Sequence, residues 1–316
     1  EIARLISRRK LPTVLIEHYQ PTNLPVVLGD NREIGRLAFE HLRDKAFRRF
    51  AFLGPLGIEI FRQRRDGFAD AANAAGLEIF APPSEEVTHL ARDRKMRAWM
   101  KKLPKPIGIF AGNAEVARRT VALCRAAGVL VPEEAAVLGV DIQPLECELS
   151  RPPLSTIDHG MERAGFKAAA LAKSLMEGQP APADPILVPP VGVIERQSTD
   201  TLAVDDPDVR AAVRLIRDRA TTGLTVKELM QWIPVGRRKL EIGFRKFLGR
   251  SIHDELMRVR LERAKFLLTT TDLSMPEIAS ACGVAFSSRL SEQFRRITGM
   301  TPRSYRREHR RPSSAR

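Results

Sequence analysis

Leu240-Glu-Ile-Gly-Phe-Arg-Lys-Phe-Leu-Gly249 and Leu290-Ser-Glu-Gln-Phe-Arg-Arg-Ile-Thr-Gly299 lie 50 residues apart and match in step: a leucine, a phenylalanine four residues on, an arginine, a second basic residue and a closing glycine. Self-similarity at a fixed offset marks a repeated structural unit. Upstream of each copy stands a helix-start signature, Thr225-Val-Lys-Glu228 and Ser274-Met-Pro-Glu277. In both, the hydroxyl is spaced to cap one free backbone N–H and the glutamate to reach back to another. Each copy therefore predicts a helix, a tight turn and a second helix.

In the first copy, Val226, Leu229 and Met230 supply the apolar stripe of the short helix, Ile233 to Gly236 interrupts it, and a new helix begins near Gly236. Its first turn holds Arg237, Arg238 and Lys239, whereas Leu240, Phe244 and Phe247 fall at i, i+4 and i+7 on the other side. Three cations on a helix with an apolar back fit insertion into the major groove of double-stranded DNA, where an arginine fork bonding guanine O6 and N7 is worth roughly 1–3 kcal/mol of discrimination. A solvated helix face is the competing reading of the triplet. The second copy presents Phe286, Ser287, Ser288 and Arg289 at the same point, a less basic surface expected to discriminate less. Between the copies Met257, Leu261, Ala264 and Leu268 predict one long helix from about Ile252 to Leu268, enough to hold the two reading helices about one turn of DNA apart.

These residues resemble the AraC/XylS-type transcription regulators. The diagnostic runs are Ile278-Ala-Ser-Ala-Cys-Gly283 and Phe294-Arg-Arg-Ile-Thr-Gly-Met-Thr-Pro-Arg-Ser-Tyr-Arg306. The resemblance implies two helix-turn-helix units joined by a long helix. This chain departs from the pattern at Gly236 (usually a capping Ser), Val284 (Phe), Phe286 (a polar residue) and Glu292 (often Arg). A carboxylate at Glu292, near phosphates, implies a weaker second unit. Charge agrees: residues 201–316 hold 24 Lys/Arg against 13 Asp/Glu, so +11 of the net +14 lies there and +3 is left for the first 200 residues. A basic half joined to a nearly neutral one is the footprint of a nucleic-acid-binding domain, though Arg303 to Arg316 contributes six arginines as a basic tail.

The first 200 residues alternate apolar runs with amphipathic stretches. Thr13–Ile16, Pro25–Leu28, Arg49–Leu53, Ile107–Ala111 and Ala136–Val140 read as buried strands, and Ile34–Arg43, Arg62–Ala75, Asp93–Leu103 and Ala114–Ala127 as helices. This rhythm predicts an α/β domain of parallel sheets with helices on both faces, long enough for two lobes. No dinucleotide-binding glycine pattern follows any strand, and Gly54-Pro-Leu-Gly57 lacks the third glycine. Ligands of open α/β sheets sit beyond the carboxyl ends of the strands. There Asp30, Asn31, Asn113 and Asp141 close apolar runs and Arg64 stands near a helix start, a donor and acceptor mixture suited to a polyhydroxyl ligand. Asp30 and Asn113 would serve equally as helix caps.

The runs Gly29–Leu42, Arg64-Arg-Asp-Gly-Phe68, Phe110-Ala-Gly-Asn113, Val137-Leu-Gly-Val-Asp141, Pro153–Ile157 and Arg196-Gln-Ser-Thr199 resemble the LacI/periplasmic-sugar-binding fold. That resemblance puts Arg64, Asn113 and Asp141 on effector-contacting positions, Asp141 foremost. A LacI-like sensor followed by an AraC-type domain, with Leu187-Val-Pro-Pro-Val-Gly-Val-Ile-Glu-Arg-Gln-Ser-Thr-Asp200 closing the sensor, resembles the xylose-operon regulators. Ile142 stands where that group often has Asn, so the sugar does not carry over. The resemblance also implies that further strands, several dozen residues, precede Glu1 in the first lobe. It implies a homodimer, a sugar effector such as a pentose, activation of catabolic genes through RNA polymerase, and a cytoplasmic location.

The expected domains are thus a sensor over 1–200, a linker over 201–208 and a double helix-turn-helix domain over 209–310. Thr201-Leu-Ala-Val-Asp-Asp-Pro207 reads as a short polar link able to transmit lobe closure. Cys124, Cys147 and Cys282 lack a metal spacing and fit a reducing compartment. His18, His41 and His159 read as surface or cap residues. No run of 18 apolar residues, no signal peptide and no nucleophile–base pair is found, so neither a membrane partner, a cofactor, a metal nor enzymatic activity is expected. Two alternatives stay open: an architectural DNA binder with a non-functional sensor, and a regulator answering to a non-sugar effector.

Overall fold

The computed structural model describes residues 6, 9, 11–83, 87–141, 144–204 and 206–309, which form two compact units, one ending at Ala203 and the other starting at Val204. In the first, the apolar runs become strands β1 (Leu15–Ile16), β2 (Val26–Gly29), β3 (Phe50–Leu53), β4 (Ile79–Phe80), β5 (Ile107–Ala111), β6 (Ala135–Asp141), β7 (Ser155–Asp158), β8 (Ile186–Val188) and β9 (Gly192–Ile194). The amphipathic stretches become α1 (Asn31–Asp44), α2 (Glu59–Ala74), α3 (Arg94–Lys102), α4 (Ala114–Ala127), α5 (Pro144–Leu149) and α6 (Met161–Met176). The strands sort into a small sheet, β1-β2-β8, and a large one, β4-β3-β5-β6-β7-β9. The two-lobed expectation is met, with one amendment: β9 runs antiparallel to β7 at the edge of an otherwise parallel sheet. Only Pro189 to Val191 separates β8 from β9, so the chain steps straight from small sheet to large with no helix to turn it round.

The large sheet is covered on both faces, which is why β3 and β5 are buried along their whole lengths and read as continuous apolar runs. Phe39, Phe50, Phe68 and Phe110 meet above it at tilted and edge-on angles with centroids 5.2–6.1 Å apart. Helices α1 and α2 pack backbone to backbone, because Gly35 and Gly67 have no side chain to hold them apart. A Cβ on Gly35 would collide with the carbonyl oxygen of Arg64, and one on Gly67 with that of Arg32. This contact places Arg64 beside the start of α1.

The segment that closes the sensor is tied into the large sheet. Ser198 Oγ donates to the Val137 carbonyl at 2.6 Å and accepts from Ser155 N at 2.8 Å, while Thr199 Oγ1 donates to Ser155 Oγ at 2.7 Å. Ser155 Oγ in turn exchanges bonds with the backbone of Arg196. His41 and His159, read above as surface or cap residues, are both buried, and His41 Nε2 lies 3.1 Å from Thr199 Oγ1. The reason is tertiary: α1 turns His41 inward against the closing segment. Lys45, also buried, pairs with Glu195 at 2.6 Å, and its carbonyl accepts from Ala203 N. The stretch read as a polar link therefore buries Leu202 and Val204.

The second unit is helical: α7 (Pro207–Arg219), a 3-10 turn (Ala220–Thr222), α8 (Val226–Trp232), α9 (Arg237–Leu248), α10 (Ile252–Thr270), α11 (Met275–Ala281), α12 (Ser287–Thr298) and α13 (Pro302–His309). Thr225 and Glu228 close the first capping box, and Glu277 accepts from Ser274 N at 2.7 Å in the second. The long helix α10 buries Met257, Leu261, Ala264 and Leu268 as its periodicity predicts. Its last two turns pack with α11 and α12 into one cluster that holds Ile278, Leu290 and Phe294, the last edge-on to Tyr305. Among the described residues no helix is long and apolar enough to cross a membrane.

Candidate effector site and DNA-reading face

Both sheets deliver polar side chains to one place in the first unit. Arg64, buried on α2, donates through Nε to Asn31 Oδ1 at 2.8 Å and through Nη1 to the carbonyl of Gly112 at 2.6 Å. Asn31 opens α1 just after β2, and Gly112 follows β5, so one guanidinium spans the strand ends of the two sheets. Asn31 Nδ2 donates to Tyr19 Oη at 2.7 Å, and Tyr19 donates to Glu17 Oε2 at 2.7 Å. Glu17 Oε1 accepts from Gly29 N at 2.6 Å. Glu17 holds φ +53°, a left-handed backbone unusual for a residue with a side chain; such conformations persist where surroundings fix them, often at ligand clamps.

Burial lowers the Arg64 pKa to about 10, the nearby Tyr19 and Glu17 opposing the fall, so the group stays cationic at neutral pH. Burial, then the bond to Glu17, push the Tyr19 phenol upward, which keeps it a neutral donor. Among the described residues Arg64 Nη2 has no hydrogen-bond partner. The site therefore offers an unused cationic donor, a phenol and a carboxylate, the mixture that hydroxyl groups need once water is displaced.

The sequence-predicted residues fare differently. Arg64 lies at the junction of the sheets. Asn113 follows Gly112, but its Oδ1 accepts from Val116 N at 2.8 Å and caps α4, and Asp30 likewise caps α1 through Glu33 N. Asp141 ends β6 opposite Asp158, and its side chain lies outside the described residues, as do Ile142 and Gln143. Glu17 and Tyr19 were missed. Inspecting the polar residues that close the run Thr13–Ile16, as was done for the later runs, would have found them.

In the second unit Arg237, Arg238 and Lys239 occupy the first turn of α9, all exposed, with Leu240, Gly243, Phe244 and Leu248 buried behind them. Arg237 and Arg238 have no ion pair among the described residues, whereas Lys239 Nζ lies 3.3 Å from Asp208 on α7. Ser288 and Arg289 are exposed and Ser287 half-buried at the start of α12. Neither helix start has a side-chain cap, Gly236 and Phe286 being the cap residues, so the first N–H groups of each are free to meet phosphate oxygens.

The two reading units are joined by backbone contact. Gly283, at φ +66° in the second turn, lies so close to the first unit that a Cβ would come within 2.5 Å of Gly223 N and 2.7 Å of the Thr221 carbonyl. From α10, Arg260 donates to the carbonyls of Ala220 at 2.9 Å and Leu224 at 2.8 Å. Its pKa is lowered by burial and then by the charge of Arg289. Below it, Glu255 is fully buried between Arg250 and Arg258 at 2.6 and 2.9 Å.

Comparison with known proteins gives two family matches: a periplasmic binding protein-like domain over residues 39–199 and a helix-turn-helix domain over 229–308. The xylose operon regulatory protein of Haemophilus influenzae is 32% identical over 96% of this chain and 81% of its own length. A solved structure of the xylose-binding transcription activator xylR matches 98% of this chain and 84% of that one at 30% identity, with a TM-score of 0.55. A periplasmic binding protein/LacI transcriptional regulator from Alkaliphilus metalliredigens, complexed with D-xylulofuranose, is 27% identical over 60% of this chain and 70% of that one, with a TM-score of 0.52.

Proposed function

Because the chain belongs to the family of xylose operon regulatory proteins, we propose that this sugar-responsive, DNA-binding transcription regulator takes a pentose at the junction of its two sheets and activates catabolic genes. The observation that carries the effector reading is the single guanidinium of Arg64 bonded to both sheets, with Nη2 left for a ligand. Arg64, Asn31, Tyr19 and Glu17 form the polar wall, and Asp141, and Asn113 through its amide nitrogen, complete it from β6 and α4. A ligand that draws the small sheet onto the large one selects the closed arrangement and shifts the population toward it. Arg237, Arg238 and Lys239 read one major groove and Ser287, Ser288 and Arg289 the next.

The protein acts as a cytoplasmic homodimer, in which lobe closure changes how two DNA-binding units match their half-sites, and it engages RNA polymerase at the promoter. A thermal-shift screen of pentoses and hexoses tests the effector: a rise confined to one or two pentoses is expected, and no rise with any sugar refutes it. A salt titration on promoter DNA and on random duplex tests the regulator. A gap of several kcal/mol between them is expected, and equal affinity would leave an architectural DNA binder.

A further inference from the structure

Helix α3 is unlike every other helix on the sensor surface. Residues 92–105 hold seven Lys/Arg and one Asp, so this short segment carries +6 while the rest of the first 200 residues is net negative. Arg92, Arg94, Lys95, Lys101 and Lys102 are exposed and Arg97 is half-buried. At 3.6 residues per turn, Arg94, Arg97 and Lys101 make one row and Lys95 and Lys102 the next, on the side opposite the buried Met96 and Met100. Asp93, the one acid of the segment, is used as the helix cap, and none of the six cations has an ion pair among the described residues.

On other helices of this domain the clustered surface cations have acidic partners. Arg36 pairs with Glu33 and Glu40, Arg62 with Glu59, Arg118 and Arg119 with Glu115, and Lys173 with Glu177. In α3 like charges instead face each other at i, i+3 and i, i+4, each such pair costing a few tenths of a kcal/mol. Arg94 and Lys95 also sit at the helix N-terminus, where the macrodipole disfavours cations. Lys101 and Lys102 suit their C-terminal place; Arg94, Lys95 and Arg97 have no acidic partner among the described residues.

We propose that α3 is an accessory contact for the phosphate backbone of duplex DNA flanking the base pairs read by the helix-turn-helix units. Duplex DNA carries a charge every ~1.7 Å of its axis, so a helix about 14 Å long faces enough phosphates to neutralise both rows. The contact rests on DNA binding by the second unit and adds a sequence-independent anchor on the sensor. The rows commit to a polyanion of regular charge rather than to a small anion, because they are exposed, linear and without a pocket.

The test uses the full chain and a site selected by it from a random-sequence duplex library. That site is prepared as the sequence-selected base pairs alone and with about 30 further base pairs on each side, a length that gives the sensor DNA to reach. Arg94→Gln/Lys95→Gln/Arg97→Gln is compared with Arg62→Gln/Arg118→Gln/Lys173→Gln, which removes the same charge from paired positions. The α3 variant is expected to lose about tenfold or more in affinity for the extended duplex, with the slope of log K against log salt falling by about 2–3. On the short duplex it should match the wild type, and the control variant should be unchanged on both. Should the α3 variant fail to fold, Lys95→Gln/Lys101→Gln/Lys102→Gln alters only exposed side chains and makes the same prediction. The proposal is overturned if the α3 variant and the control behave alike, or if both duplexes weaken equally. It is likewise overturned if transcription falls with extended-duplex affinity intact, the sign of an acidic protein partner. Loss of binding by the short duplex in the wild type would instead count against the helix-turn-helix reading itself.

Discussion

Arg64 Nε donates to Asn31 Oδ1 across 2.8 Å, which ties a helix on the large sheet to the residue that opens α1 just after a strand of the small one. Replacing Arg64 with Ala strands Asn31 Oδ1 and the Gly112 carbonyl in a buried place, at a cost of about 1–3 kcal/mol. We expect a lower melting temperature and no thermal shift with any pentose. Arg64→Lys keeps the charge but cannot fork to both acceptors, so it should fold and still fail to respond. A normal sugar response from Arg64→Lys would remove this residue from the effector site.

Arg238→Ala should relax sequence preference by roughly 1–3 kcal/mol at one base pair, measured by competition between the selected site and its single-base variants. Lys239→Ala should act less and evenly on all sequences, since its ammonium is already shared with Asp208. If Arg238→Ala weakens every duplex by the same factor, the arginine contacts phosphate and not a base.

Gly283→Ala places a methyl against the backbone of Gly223 and Thr221 and asks a left-handed conformation of alanine. The expected result is a large loss on duplexes carrying both half-sites of one protein chain, and little change on a duplex that presents the first half-site alone. Equal loss on both would show that Gly283 serves folding and not the spacing between reading helices.

Burial works to raise the Glu255 pKa, but the bond and charge of Arg258 and the charges of Arg250 and Arg217 outweigh it, bringing it down to about 2. A depressed carboxylate stabilises the fold fully above its unfolded pKa, about 4.3. That contribution, on the order of 3 kcal/mol, is lost as pH falls from about 4 toward 2. The chain has two tryptophans, Trp99 in the first unit and Trp232 in the second. In a Trp99→Phe background, denaturant unfolding followed by Trp232 should weaken over that pH window. In Glu255→Gln the slope over that window should be much shallower, at a lower stability throughout, with the depressed carboxylates of Glu228, Asp254 and Glu277 left to act; an unchanged slope would assign it to another carboxylate.

Much of the fold was legible because period and caps agreed. The run Ile107–Ala111 is a strand over the same residues and Ala114–Ala127 a helix over the same residues, since a buried parallel strand must be apolar throughout and Asn113 and Gly128 punctuate the helix. The duplicated module was readable for the same reason, its capping residues and apolar stripes repeating in step. Hidden from the sequence were features that depend on meeting a distant segment. His41 is polar in composition yet buried, because the closing segment covers it. Asn113 was read as both cap and ligand residue, and its Oδ1 bond shows the cap. Glu17 and Tyr19 enter the site only because β1 and β2 pair in a register that brings Glu17 onto Gly29 N.

The hydrogen bonds of Ser198 and Thr199 with Ser155 and Val137 have a consequence for signalling. The route out of the sensor is riveted to the large sheet by Ser198 and Thr199, and to α1 by His41 and Lys45. The small sheet also reaches that exit, because only Pro189 to Val191 separate its strand β8 from β9. A displacement of the small sheet is therefore felt at the departing chain along two covalent routes, the start of α1 and the β8–β9 step.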